Sequence, residues 1–261
     1  MPQRPLRGRP GGKCQASALD RQQKWAEGQD ILTSRRPPDA RVETRFHHSA
    51  NAYVADDVTH HWNRELVLDL TRMRNTVLQR ALETESDAVF MVDSDLLLHP
   101  RTLRLLCAAD KEVIAEIFWT RWRPDGPELP NAWEYDQYGI AQETLRRWRR
   151  PGQYRVGGTG ACTLIRTSAI RKGLNYAPVP SVSWVGEDRA LQLRAAVLGI
   201  PIYIDTHQPA YHIYRLGLLA AGRAWYASLG GPPAASMAGA GDVPDPPVPP
   251  DIATSEAPQP I

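Results

Sequence analysis

The chain has 261 residues, enough for one full domain or two small ones, and its 42% hydrophobic and 23% charged residues allow a sizeable core. Lysine and arginine total 31 against 29 aspartates and glutamates, and this net charge of +2 argues against a nucleic-acid binder, which needs a concentrated basic face. No apolar run reaches the roughly 18 residues of a transmembrane helix, and the basic N-terminus is followed by no apolar stretch, so a cytoplasmic protein is predicted.

Composition divides the chain into three zones. Residues 1–40 are rich in proline, glycine and arginine and show no sustained periodicity, which predicts a poorly ordered or divergent segment. Residues 41–229 carry almost all of the patterned sequence and are expected to form the folded domain. Residues 230–261 contain nine prolines and little to bury, so this tail is expected to be disordered.

Helical and strand patterns alternate through the middle zone. The first is an amphipathic helix in which apolar residues recur at spacings of three and four, namely Leu66, Leu70, Met73, Val77 and Ala81. In chain order there follow a strand at 88–92, a helix opened by Pro100, strands at 113–119 and 162–165, a helix at 187–198 and a strand at 200–204. Helices alternating with apolar strands predict an α/β sandwich around a mostly parallel sheet.

The tripeptide Asp93-Ser94-Asp95 directly follows the first apolar strand. In an open α/β sheet, ligands bind beyond the carboxyl ends of the strands, and two carboxylates two residues apart can share a hard divalent cation. The same residues could instead form a turn and cap the next helix. The position at a strand end makes the functional and the structural interpretation about equally good.

Two further groups of ionisable residues stand near the end of the domain. Glu187 and Asp188 open a helix, where the helix dipole favours ionised carboxylates, and one of them could accept a proton from a hydroxyl nucleophile. His207 and His212 flank a proline-containing loop, and a neutral imidazole there could complete a metal site begun by Asp95. Helix-terminal charge and a structural histidine are the alternative interpretations.

Taken in order, these segments resemble the nucleotide-sugar glycosyltransferases of the GT-A type, family 2 and its relatives. The resemblance lies in TRMRNTVLQRALETESDAVFMVDSDLLLHPRTL, in VGGTGACTLIRTSAI, in GEDRALQLRAAVLGIPIYID and in PAYHIYR. It covers residues 71–215 and implies a three-layer sandwich with a mostly parallel central sheet. It also implies transfer of a sugar from a nucleotide-diphosphate sugar to a hydroxyl acceptor, with inversion.

The resemblance assigns a role to each matching residue. The metal, Mn²⁺ or Mg²⁺, would be held by Asp93, Asp95 and His212, with His207 the weaker match. The donor would be bound by Arg74, Asn75 and Ser94. The catalytic base would be Asp188, with Glu187 as its neighbour. The acceptor pocket would be shaped by Gly157, Gly158 and Trp184.

The acceptor is left open by the residues between 121 and 155, whose tryptophans, tyrosines and arginines suit a sugar, a lipid-linked sugar or a protein. A basic cluster in this stretch could touch an anionic membrane surface or form a solvated helix face, and it consists of Arg146, Arg147, Arg149 and Arg150. Nothing in the pattern indicates a nucleic-acid partner.

One departure from the family pattern motivates a competing hypothesis. Such enzymes begin with an apolar strand and a second strand bearing acidic residues for the nucleoside, and residues 1–60 show neither clearly. The alternative is therefore a catalytically impaired remnant that binds carbohydrate or a protein partner. A nucleotidyltransferase is a third hypothesis, but the GGK at residues 11–13 is a poor phosphate loop.

Overall fold

The computed structural model of the chain describes residue 43 and residues 53–56, 58–135, 138–183 and 186–229. From Tyr53 onward these residues belong to one unit of the chain, Ser49–Ile261. The predictions for residues 1–40 and for the 230–261 tail lie outside the described residues, as does Trp184. No helix in the described part is both long and apolar enough to cross a membrane.

The described residues contain six α-helices and eleven short or medium strands. The helices are α1 (Arg64–Glu83), α2 (Thr102–Ala108), α3 (Gln142–Trp148), α4 (Thr167–Arg171), α5 (Glu187–Val197) and α6 (Leu219–Ser228), with a 3-10 turn at Leu216–Leu218. The strands are β1 (Val54–Ala55), β2 (His60–His61), β3 (Ala88–Met91), β4 (Leu96–Leu97), β5 (Val113–Arg121), β6 (Glu128–Pro130), β7 (Ala132–Trp133), β8 (Gln153–Val156), β9 (Gly158–Thr159), β10 (Thr163–Arg166) and β11 (Ile202–His212).

Seven of the described strands form the main sheet. Its path is β3-β10-β5-β11-β4, with β6 added on β5 and β8 added on β11. Only β5 and β11 pair in parallel; every other pair in this sheet is antiparallel. The α/β class is confirmed, but the prediction of a mostly parallel sheet is wrong for the described strands.

The reason for this error is the insertion of β10. Strands β3, β5 and β11 do point the same way, as the helix-strand alternation suggests, but β3 and β5 are not neighbours. Strand β10 runs between them in the opposite direction, with Leu164 opposite both Phe90 and Ile114. Burial on both faces produces the same continuous apolar run in a parallel strand and in an antiparallel central strand, so the pattern does not reveal the direction of the neighbour.

Strand β5 lies at the centre of the core and is buried on both faces. Its residues Val113, Ala115 and Ile117 pack with apolar side chains of α1, α4 and α5 on one side of the sheet. Ile114 packs with Leu106 of α2 on the other side. Each fully buried aliphatic side chain contributes about 1.5–3 kcal/mol to the free energy of folding. This burial fixes the position of the strand and of the residues at its ends.

Helix α1 forms where the sequence predicts it, but with a rotated buried face. Asn63 caps its N-terminus by accepting the Leu66 N–H at 2.9 Å. Of the predicted apolar stripe, Met73 and Val77 are exposed by 40% and 46%. Arg74 points inward instead, and this polar residue belongs to the site described below.

The final strand is longer than the sequence predicts. Helix α5 ends before Gly199, whose φ of +67° suits glycine, as expected. Strand β11 then continues through the segment predicted as a loop between His207 and His212. Its pairing with β5 shifts between Asp205 and Ala210, an irregularity that accommodates Pro209 within a strand.

The basic cluster lies at the end of α3. Arg149 donates to Glu128 at 3.0 Å, and its guanidinium lies 3.4 Å from the ring centre of Trp119. Arg147 pairs with Glu134 at 3.7 Å. Two of the four arginines of the basic cluster therefore pair with carboxylates of this chain.

Candidate active site

The Asp93-Ser94-Asp95 tripeptide forms the turn between β3 and β4, at the end of the sheet. The Leu96 N–H donates to the Asp93 carbonyl at 3.3 Å, which closes the turn. Asp93 and Ser94 are exposed, whereas Asp95 is half-buried. The turn that the sequence suggests and the strand-end position are therefore both present, and the two aspartates meet different surroundings.

Strand pairing brings the C-terminal end of β11 to this turn. Leu96 of β4 pairs with His212, and the Ile213 N–H donates to the Asp95 carbonyl at 2.8 Å. Because β4 lies antiparallel to β11, a histidine 117 residues later in the chain is placed beside Asp95.

We name the resulting group the Asp95 cluster; it comprises Asp95, Thr120 and His212. The Nε2 of His212 lies 3.1 Å from Asp95 Oδ2, and its Nδ1 lies 2.6 Å from the Thr120 hydroxyl. The imidazole is mostly buried and meets the Phe118 ring edge-on at 4.8 Å. Its ring plane and position are therefore determined by contacts on three sides.

The Asp95 carboxylate has one engaged and one unengaged oxygen. Burial raises the pKa of Asp95, but the hydrogen bond and the charge interaction with His212 outweigh it, so the pKa lies below its usual value. Oδ1 is buried and has no hydrogen-bond partner among the described residues. A buried carboxylate oxygen without a donor is suited to a cation.

A second group, the Arg74 cluster, comprises Arg74, Asp93, Glu187 and Asp188. Arg74 Nη1 donates to Asp188 Oδ1 at 2.5 Å and lies 3.2 Å from Glu187 Oε1. Its Nη2 reaches Asp93 Oδ1 at 3.4 Å. One buried guanidinium therefore connects the turn after β3 to the first residues of α5.

The acids of this cluster are held at raised pKa values. Burial raises the pKa of Glu187 to about 7, with the neighbouring Asp188 charge adding to it. Burial also raises the pKa of Asp188, against the opposing effect of Arg74. Burial alone would lower the pKa of Arg74, but Asp188 and the other nearby groups raise it, so Arg74 stays charged.

Asn75 and Tyr176 support this arrangement. Asn75 Oδ1 accepts the backbone N–H of Tyr176 at 2.9 Å, although the two residues are 101 positions apart. The fully buried Tyr176 ring lies under the Arg74 guanidinium, 5.3 Å from ring centre to Cζ. Asn75, predicted to bind the donor, thus fixes the backbone of Tyr176, whose ring packs against the Arg74 guanidinium.

The glycine-rich segment approaches its neighbours too closely for side chains. A Cβ on Gly157 would lie 2.1 Å from the Glu134 carbonyl oxygen, and one on Gly158 would lie 2.5 Å from the Trp133 indole nitrogen. Those two residues, predicted for the acceptor pocket, therefore allow β9 to pack on β7. Gly160 is the one beside the acids, since a Cβ there would lie 2.7 Å from Asp188 Oδ2.

The predicted metal ligands are brought together in part. Asp95 and His212 touch, while Asp93 turns towards Arg74 and keeps half of its side chain exposed. In the part of the chain that the structure describes, no set of three or more histidine, cysteine, aspartate or glutamate side chains is arranged around a common cation position. His207 Nδ1 lies 2.9 Å from Asp205 Oδ1 instead.

A comparison with protein families shows which family the chain belongs to. The family described as "Glycosyltransferase family 25, N-terminal domain" matches residues 30–213, well over half of the chain. The chain belongs to glycosyltransferase family 25. The prediction of a glycosyltransferase is therefore confirmed. The family that the comparison shows is family 25, whereas the sequence motifs were compared with family 2 and its relatives.

Among curated proteins, this family 25 chain is similar to procollagen galactosyltransferase 2 of Homo sapiens. The two are 27% identical over 161 residues, which cover 56% of this chain and 24% of the human protein. The chain thus matches about a quarter of the length of that relative.

Sequence reasoning missed several residues of this candidate site. Thr120 and Tyr176 carry no motif, and only the folded chain brings them to His212 and Arg74. Gly160 is the third glycine of the GGTG run and could have been included with the other two. Arg74 is predicted to bind the donor, and the structure adds a contact with Asp188 that no local pattern of the helix signals, because Asp188 lies 114 residues away.

Proposed function

We propose that this family 25 chain transfers a sugar from a nucleotide-diphosphate sugar to a hydroxyl acceptor, with inversion, and that a divalent metal assists the reaction. The observation that carries the proposal is the convergence, at one end of the sheet, of the Asp95 cluster and the Arg74 cluster. The order of the motifs along the chain supports a GT-A type arrangement.

The Asp95 cluster fits a metal ion. Asp95 supplies a buried carboxylate oxygen without a partner, and His212 supplies an imidazole whose far nitrogen is fixed by Thr120. Asp93, two residues away and half exposed, is the third candidate ligand. A bound Mn²⁺ or Mg²⁺ would supply charge neutralisation for the departing nucleoside diphosphate.

Asp188 is the candidate base. Its Oδ1 is engaged by Arg74, whereas Oδ2 faces Gly160, so Oδ2 is the oxygen that can take the proton of the acceptor hydroxyl. The acceptor oxygen then bonds to the anomeric carbon while the sugar–phosphate bond breaks and its electron pair leaves on the diphosphate. A pKa raised by burial makes the ionised carboxylate a better proton acceptor near neutral pH.

The proposal is tested by release of nucleoside diphosphate from a panel of donor sugars with Mn²⁺ present. Galactose donors head the panel, because the similar human protein is named a galactosyltransferase. Asp95→Asn and Asp188→Asn are expected to abolish release. Asp110→Asn is the matched control, since its side chain is 97% exposed and its φ of +51° suits asparagine.

Two outcomes would contradict the proposal. One is turnover that both site variants retain at the level of Asp110→Asn. The other is a wild-type chain that binds sugar or a protein partner but neither binds nor turns over any donor, which would support the remnant hypothesis.

A further inference from the structure

Asn131, which lies between β6 and β7, ties the segment after β9 to the central strand β5. Its Oδ1 accepts the Phe118 N–H at 2.9 Å, and its Nδ2 donates to the carbonyls of Glu116 at 3.1 Å and of Gly160 at 3.0 Å. Its backbone N–H donates to the Phe118 carbonyl at 3.1 Å, and its backbone carbonyl accepts the Gly160 N–H at 2.9 Å. Because Asn131 is buried, these hydrogen bonds fix the position of Gly160 relative to β5.

The two residues after Gly160 have a strained backbone. Ala161 and Cys162 have φ angles of +34° and +48°, in the left-handed region that is unfavourable for residues with a side chain. Both are buried, and their carbonyls are held by hydrogen bonds: the Thr163 hydroxyl donates to Ala161 at 2.8 Å, and the Glu116 N–H donates to Cys162 at 3.0 Å. Backbone strain of this kind persists only where the surrounding contacts determine it, and it is common at functional sites.

This anchoring turns the polar backbone groups of Gly160 away from Asp188. The Gly160 N–H and carbonyl are both bonded to Asn131. Among the described residues only Oδ1 of Asp188 accepts a hydrogen bond, and its donor is Arg74. The part of Gly160 that faces Asp188 Oδ2 is therefore the side of its Cα on which other residues carry a side chain. A Cβ there would lie 2.7 Å from Oδ2, a length typical of a hydrogen bond from a hydroxyl to a carboxylate.

Packing does not explain why residue 160 is a glycine, in contrast to the two glycines at 157 and 158. A Cβ on Gly157 or Gly158 would collide with a backbone carbonyl or with the Trp133 ring. A Cβ on Gly160 would meet, among the described residues other than its chain neighbours, only the end of the Asp188 side chain within 4 Å. The φ angle of Gly160 also lies outside the left-handed region that favours glycine. The missing side chain therefore concerns Asp188.

We infer that Gly160 controls the access of the acceptor hydroxyl to Asp188. The inference rests on the proposed function, in which Oδ2 of Asp188 takes the proton of that hydroxyl. The bare Cα leaves room for the hydroxyl oxygen at hydrogen-bond distance from Oδ2, and a methyl group would occupy the same space. The bonds to Asn131 also keep the Gly160 N–H from turning towards Oδ2, where a hydrogen bond would make this oxygen a weaker base.

The test measures kcat and the donor KM from the release of nucleoside diphosphate, with Mn²⁺ present and water as the acceptor. The donor is the one that the wild-type chain turns over fastest. Gly160→Ala is the main variant, and we expect kcat to fall by about 10- to 100-fold while the donor KM changes by less than about twofold. Calorimetric binding of the released nucleoside diphosphate, with Mn²⁺ present, should be unchanged in this variant.

Gly217→Ala is the matched control. It adds the same methyl group at a position where no described residue other than the chain neighbours lies within 4 Å. Gly217 belongs to the 3-10 turn before α6, outside both clusters. We expect this variant to keep the wild-type kcat and the wild-type donor KM.

The double variant Gly160→Ala/Asp188→Asn shows whether the effect passes through the base. If the methyl group acts on the hydroxyl at Oδ2, it costs nothing more once Asp188 is an amide, and the double variant should be as slow as Asp188→Asn. A general disturbance of the site would instead lower kcat by the same factor in both backgrounds.

Several results would overturn the inference. Gly160→Ala could keep the wild-type kcat, or raise the donor KM with kcat unchanged, or lose the same factor in both backgrounds. Denaturant unfolding is recorded for every variant, and a Gly160→Ala chain that is clearly less stable than Gly217→Ala would show that Gly160 serves packing.

The same measurements separate this inference from the proposed function. A wild-type chain that turns over no donor contradicts the proposed function and the inference that rests on it. Turnover that is lost in Asp188→Asn but kept in Gly160→Ala contradicts the inference alone.

Discussion

The Asp95 cluster and the Arg74 cluster lie at the same end of the sheet, but they shift the pKa values of their carboxylates in opposite directions. In the Asp95 cluster one carboxylate meets one imidazole, its pKa is lowered, and one of its oxygens has no partner. In the Arg74 cluster three carboxylates share one guanidinium, and the pKa values of Glu187 and Asp188 are raised.

This difference shows how two aspartates of one tripeptide can meet different electrostatic surroundings. Asp95 turns towards His212 and stays ionised with an oxygen to spare, as a cation ligand requires. Asp93 turns towards Arg74, where its charge adds to that of the two acids on α5. An excess of negative charge around one arginine favours proton uptake, as a general base requires.

The largest expected effect comes from Asp188→Asn. The amide keeps an oxygen for Arg74 but cannot take a proton, so kcat should fall by about 10²- to 10⁴-fold. The Mn²⁺ concentration for half-maximal activity should not change, because the Asp95 cluster is intact. The measurement is the steady-state rate over a Mn²⁺ series; a shifted Mn²⁺ requirement would show that the two clusters are not separate.

Arg74→Met should destabilise the fold. Its removal leaves buried carboxylates without their cation, which costs about 3–5 kcal/mol in the free energy of unfolding. Denaturant unfolding at neutral pH measures this. Arg80→Met is the matched control on the same helix, because the Arg80 side chain is 45% exposed and pairs with Glu83, which is 50% exposed, and its effect should stay below about 1 kcal/mol. Equal effects of the two variants would contradict a structural role for the Arg74 cluster.

His212→Gln should change the Asp95 cluster alone. Loss of the imidazole should raise the Mn²⁺ concentration for half-maximal activity by about tenfold or more. His207→Gln is the control, since His207 pairs with Asp205 and its side chain is 44% exposed. If both variants keep the wild-type Mn²⁺ requirement, His212 is not a metal ligand.

The last prediction concerns Glu116, a buried carboxyl of β5 outside both clusters. Burial, with a contribution from Asp205, raises its pKa to about 9. Between its unfolded pKa near 4.5 and about 9, the folded chain binds the extra proton, so Glu116 makes stability fall as pH rises, by at most about 1.4 kcal/mol per pH unit.

Glu116→Gln should remove the contribution of this carboxyl to the pH dependence of the free energy of unfolding. Denaturant unfolding between about pH 6 and about pH 9 measures this contribution. The variant should leave the pH dependence of activity unchanged, because the proposed base Asp188 belongs to the Arg74 cluster and Glu116 belongs to neither cluster. An altered pH–rate profile would show that the core carboxyl and the Arg74 cluster are coupled.

Sequence patterns predicted the locations of the elements well where periodicity was strong. The helix opened by Pro100, the strand β5, the strand β10 and the helix ended by Gly199 all lie where they were expected. These elements are local, and spacing, capping and glycine signals suffice for them. The residues between 121 and 155 carried no such pattern, so β6, β7, α3 and β8 were not predicted.

The rotated face of α1 illustrates the limit of periodicity. The apolar stripe included Met73 and Val77, yet the fold buries Arg74 and exposes both. The ion contacts of Arg74 with residues on α5 and after β3 compete with apolar burial at this position. A helical pattern cannot register such partners because they are distant in sequence.

The sequence by itself determined the α/β composition, the turn that carries Asp93 and Asp95, and the helix that begins at Glu187. The tertiary structure alone decided that β10 separates β3 from β5, that Arg74 holds Asp188, and that β4 and β11 bring Asp95 to His212. Local elements follow from interactions within a few residues. Strand direction and side-chain partnership instead depend on which distant segments pair, and that is settled only when the whole sheet closes around its core.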